Sequence, residues 1–366
     1  MDLSYLYCGV GDARHLYTTL LVAGSAPRKF FQALQLTIID LKAQALAKVL
    51  VLFDLVDAYN KHKQSEGAAS DAALSVARSM AYIFAGHFYP SSVHNAIQST
   101  LTSLIEKLEK GQPILPWLYV AEVSREPIIA TLKEWKGPSV DAHNPKEPID
   151  WLKHHIREKD SHEMLSALQM GYDIPKPSVP SGCEDDRLFF DNACILPPPK
   201  TSDMGGDELP QLLDAVKSKL ASASSTLVDH VRQHWKANVT LFDLAWEKQW
   251  KSNPALKGDD EYLSGLLFDP LDVLGMVVGD LPPPKGPSPG VIDRLGMYFA
   301  KVADSITELS SILTIEVIHG EVADIMEKLT YDCFDYRLKA PGAAGTRPDP
   351  SKFHKKFDHI HLSNIP

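Results

Sequence analysis

Strand-like segments sit at the two ends of this 366-residue chain, and residues 60–311 between them are mainly helical in pattern. "LSYLYCG" (3–9) and "LQLTIID" (34–40) precede residue 60, "LTIEVIHG" (313–320) and "FDHIHLSN" (357–364) follow residue 312, and "LPWLYVAEV" (115–123) is ambiguous. Short apolar strands followed by helical spacing imply βα units and a parallel sheet. One sheet shared by both ends makes the middle an insertion that leaves and re-enters at its edge. The expected organisation is therefore a first sheet part at 1–59, a helical insertion at 60–311 and a second sheet part at 312–366.

Within the middle, "DLKAQALAKVLVLFDLVDAY" (40–59), 71–89 and 93–110 carry apolar residues at three- and four-residue spacing, and 208–250 reads as two helices. A further helix is expected over 291–311, and proline clusters at 173–182, 195–210 and 281–290 read as surface loops. The net charge of −10 argues against a nucleic-acid-binding surface as the main function. No apolar run is long enough to span a bilayer, and the first residues do not form a secretory signal. The four cysteines are scattered with no C-x-x-C pair, which fits reduced thiols in a cytoplasmic protein and excludes a cysteine-based zinc finger.

The strand ends carry the chemistry. Gly9-Val10-Gly11-Asp12-Ala13 leaves the first strand, and glycine there lets a backbone approach a ligand at a helix N-terminus. Asp40 ends the second strand, where an acid can accept both hydroxyls of a ribose. Gly320 and Glu321 open the helix after the third strand, and Ser363-Asn364-Ile365-Pro366 follow the fourth. Ligands of open α/β sheets bind beyond the carboxyl ends of the strands, so the four tips should converge.

This series is similar to the Class I, Rossmann-like S-adenosylmethionine-dependent methyltransferases. More narrowly, "GVGDARHLYTTL", "ALAKVLVLFDL", "IEVIHGEVADIMEKL" and "FDHIHLSNIP" look like a eukaryotic family of unknown function. Its members are common in fungi, often carry a MYND zinc finger, and include the N-terminal domain of dynein axonemal assembly factor three. In the insertion only "WEKQWKSNP" (246–254) matches, loosely. The resemblance implies a Rossmann-like, methyltransferase-type parallel sheet with S-adenosylmethionine as cofactor. By the same resemblance Gly9, Gly11 and Asp12 would hold its amino-acid part, Asp40 its ribose and Glu321 its adenine side, while Ser363 and Asn364 would face the methyl acceptor. The chain departs from that pattern with Tyr7 where an acid is usual and Ala13 in place of a third glycine. It also ends at the fourth strand, which implies a fragment, a short sheet, or one completed by another polypeptide.

Several residues admit a plainer reading. Asp12 could cap the following helix, and Arg14 could pair with an acid. His230 and His234 have the i, i+4 spacing of two metal ligands, but no third ligand is evident in sequence, and no metal site is expected. His359 and His361 fall on one side of the last strand, as cleft or as exposed edge. Two function classes remain: a methyltransferase with the insertion as lid, or a non-catalytic scaffold with the insertion gripping a partner protein.

Overall fold

The computed structural model describes residues 2–27, 32–137, 179–199, 208–220, 222–241, 270–271, 274, 290–338 and 353–363. In chain order the elements are β1 (Asp2–Cys8), α1 (Arg14–Ser25), β2 (Ala33–Asp40), α2 (Ala43–Glu66), α3 (Asp71–Ala85), β3 (Phe88–Pro90), α4 (Ser91–Glu109), β4 (Leu118–Val120) and α5 (Glu122–Lys136). There follow α6 (Glu184–Ala193), α7 (Glu208–Lys217), α8 (Ala223–His234), β5 (Trp235–Ala237), α9 (Val291–Leu309), β6 (Leu313–His319), α10 (Val322–Thr330), α11 (Asp335–Leu338) and β7 (His359–Leu362). They fall into two compact units: Met1–Ala73 with Ile97–Gly137 and Ala300–Pro366, and Leu74–Ala96 with Pro138–Phe299.

The first unit is α/β. Its five strands are all parallel in the order β4-β6-β2-β1-β7. The ambiguous segment at 115–123 thus supplies an edge strand, and β4 joins the sheet from within 60–311. β2 is buried from Leu34 to Asp40, as a strand covered on both faces must be. α2 is buried nearly all round over Ala45–Phe53, because it packs against β2, β6 and α5. A cluster of Leu6, Cys8, Ile39, Ile318, Ile325, Leu329 and Phe334 closes α10 onto the carboxyl half of the sheet.

One polar network crosses this apolar layer. Glu316 on β6 is 0% exposed and accepts hydrogen bonds from the Thr37 hydroxyl (2.9 Å), the Tyr336 hydroxyl (2.9 Å) and Arg337 Nε (3.1 Å). Arg337 also donates to the His354 carbonyl. Burial is satisfied group by group, which is the condition for an ion pair to survive out of water. Burial and the neighbouring carboxylate push the Tyr336 hydroxyl's pKa far up.

In the second unit, β3 pairs antiparallel with β5. Phe88–Pro90 is therefore strand, whereas the periodicity predicts helix to residue 89. The chain leaves α3 at Gly86, and the following segment is fixed by Asn238, whose amide donates to the carbonyls of Tyr82, Ile83 and Gly86. The Tyr82 carbonyl also accepts the Gly86 amide at 2.8 Å, and Asn238 adds donors for the carbonyls at the end of α3 that lack a helical partner. Of the two helices expected over 208–250, α7 and α8 are observed and α8 stops at His234. Residues 242–250 lie outside the described residues, as does all of "WEKQWKSNP" (246–254). Among the described residues no helix is long and apolar enough to cross a membrane.

Candidate functional site

All four expected strand ends meet at the carboxyl edge of the sheet. Register pairs Cys8 with Ile39, Asp40 with His319, and Cys8 with Leu362. Beyond the strands, the Gly9 and Val10 amides donate to the Ile39 carbonyl, the Gly320 amide to the Asp40 carbonyl, and the Ser363 amide to the Cys8 carbonyl. The chain places β2, β4 and β6 on one side of β1, with β6 inserted between β2 and the edge strand β4, and then crosses to β7 on the other side of β1. In open α/β sheets such a change of direction is where ligands bind.

The turn after β1 needs its glycines. Gly9 and Gly11 take φ of 72° and 53°, the left-handed region that side chains disfavour. Ala13 takes the same region at φ 62° as the N-cap of α1, and its side chain makes no capping hydrogen bond. A non-glycine residue there stores strain, of order 1 kcal/mol or more.

Asp40 ties this turn to the next one. Its Oδ2 accepts the Gly11 amide at 2.9 Å and its Oδ1 accepts the Lys42 amide at 2.8 Å. A carboxylate has about four acceptor positions, so two hydroxyls can still be received. Asp12 holds Arg14 in an ion pair at 2.6 Å and accepts its backbone amide at 3.1 Å. The paired Arg14 is thus realised, while Asp12 stands one residue before the N-cap, Ala13, and receives the first amide of α1 from there. Glu321 is the N-cap of α10, accepting the amides of Ala323 (3.0 Å) and Asp324 (2.8 Å), which hold its carboxyl below the usual range. Ser363 continues the β7 ladder; Asn364, Ile365 and Pro366 lie outside the described residues.

Two histidines lie near this edge, and a third, His359, opens β7 further down the strand. The His15 and His361 rings lie 4.2 Å apart, and His359 stacks on Tyr5 at 4.8 Å. Burial, with the His361 ring and Arg14 nearby, lowers the pKa of His15, which favours the neutral ring. β7 also has a wet face: Ile360 and Leu362 are exposed.

Lys48 is the residue that sequence reasoning missed. It lies on α2 among Ala47, Val49 and Leu50 and is buried. Desolvation pushes its pKa down to about 8, opposed by the Asp12 carboxylate of the glycine turn. A charged side chain in so apolar a run was the signal available.

Residues 1–80 match a family described as a domain of unknown function, DUF4470. That stretch carries β1, the glycine turn, α1, β2, Asp40 and α2, so the DUF4470 match spans the core of the candidate site. It supports the resemblance to a family of unknown function over those residues. No curated protein and no solved structure matches the chain.

Proposed function

We propose that the carboxyl edge of the sheet binds S-adenosylmethionine. The observation that supports this reading is the link from Gly11 to Asp40, which sets a glycine turn and a strand-end acid side by side at the change of strand direction. Backbone amides at the start of α1 offer donors to a polar or anionic group. Asp40, held in place by two amides, retains acceptor positions for ribose hydroxyls. Methyl transfer needs an acceptor atom held in line and water excluded, and His15, beside His361 at 4.2 Å, is a group at this edge able to take a proton.

A second reading, a non-catalytic scaffold, is favoured by a specific observation. Asp12, Asp40 and Glu321 each already serve the chain itself, as ion pair, turn clasp and helix cap.

Calorimetric titration of the chain with S-adenosylmethionine and S-adenosylhomocysteine, beside Asp40→Asn, separates the two. Asparagine keeps the size and one acceptor oxygen. Cofactor binding predicts saturable heat, weakened about tenfold or more in the variant while thermal stability falls by only about 1–3 kcal/mol. Absence of binding by a folded wild-type chain sinks the cofactor reading and leaves the scaffold.

A further inference from the structure

The second unit brings together three side chains that sequence spacing leaves incomplete. His230 and His234 share one face in the last turn of α8, with ring centroids 4.6 Å apart. Glu208, at the start of α7, completes the group: its Oε2 lies 3.2 Å from His230 Nδ1. One ligand atom from each of the three lies within 4.8 Å of the others.

We propose that Glu208, His230 and His234 bind a divalent transition-metal ion, with zinc as the species this donor set suits. Imidazole is a borderline ligand, and two of them with one carboxylate make a known zinc donor set, whereas magnesium and calcium take oxygen ligands throughout. Tetrahedral zinc with bonds near 2.05 Å places its ligands about 3.4 Å apart, so the three side chains need close by only about an ångström. Three protein ligands leave a fourth position for water, the composition of open zinc sites rather than closed structural ones.

Two further observations point to a ligand. The Nε2 atom of His230 is buried and has no hydrogen-bond partner among the described residues. Such a group costs about 1–3 kcal/mol, and coordination of the ion at Nε2, with the Glu208 carboxylate turning from Nδ1 onto the same ion, removes that penalty. The platform is also fixed before any ion arrives. α8 leads directly into β5, whose Trp235 is buried edge-on against Tyr82, and the Ser91 hydroxyl donates to the His234 carbonyl at 3.0 Å. A ligand pair on so anchored a turn loses little freedom on binding.

The test uses the full chain, stripped with a chelator and titrated with Zn2+ against a chromophoric competitor. His234 and Glu208 are exposed, so His234→Ala and Glu208→Gln leave the fold unaffected. The site predicts one zinc equivalent, weakened at least about 100-fold in His234→Ala and about tenfold or more in Glu208→Gln, with no competition from Mg2+. Co2+ in the same position should give the intense visible absorption of four-coordinate cobalt, lost in His234→Ala. Zinc bound equally by both variants places it on other histidines and overturns the proposal. So does a wild-type chain that takes up no zinc, or one whose cobalt spectrum is the weak octahedral form.

Discussion

Replacing Arg337 with methionine should loosen the centre of the sheet more than any surface change. The guanidinium reaches both oxygens of Glu316, which is 0% exposed, and also bonds the His354 carbonyl. Methionine fills similar space but leaves a buried carboxylate with only the hydroxyls of Thr37 and Tyr336. Breaking a buried pair from one side costs about 3–5 kcal/mol, against a total stability of about 5–15 kcal/mol for a domain. The two compact units make a global unfolding curve ambiguous. Hydrogen exchange read on peptides of β6 isolates the effect, and the cost corresponds to exchange about two to three and a half decades faster. Adding Glu316→Gln neutralises the stranded charge and should restore at least a decade. Exchange within one decade of wild type, or a double variant no better than the single, would refute the argument.

Lys48→Met should raise stability at pH 7. Folded Lys48 gives up its proton near pH 8 and the unfolded chain near 10.5, so the unfolded state holds more protons between those values. Wild type then gains about 3 kcal/mol relative to Lys48→Met as pH climbs through that window, a difference visible in paired denaturant titrations. Gly24→Ala should be costly, because a Cβ there would lie 2.4 Å from Ser305 Cβ and 2.7 Å from its Cα. Thermal melts should show about 1–3 kcal/mol lost, and Ser305→Gly should recover only part, since the Cα remains in the way.

Much of the sheet is legible in the sequence because buried parallel strands write themselves as apolar runs: "LQLTIID" can be little else between a helix and a proline-free lysine-alanine stretch. β4 is harder, since three residues carry no period, and it is fixed by pairing with β6 rather than by its own pattern. Phe88–Pro90 misleads for a similar reason: its partner strand is 145 or more positions away at Trp235–Ala237. The roles of the acids are the least legible. Sequence places Asp40 at a strand tip, yet only geometry shows it clasping the Gly11 amide. Glu208 is invisible as a companion to His230 and His234 because a turn between two helices, not a motif, brings it near.

In the proposed reading, the glycine turn, Asp40 and the tip of β7 form one ligand site. Hydrogen exchange of the full chain with and without saturating S-adenosylhomocysteine tests it most directly. The account predicts slowed exchange confined to the amides of Gly9–Ala13, Leu41–Lys42, Gly320–Glu321 and Ser363. Unchanged exchange at all four tips, or protection elsewhere alone, would contradict it.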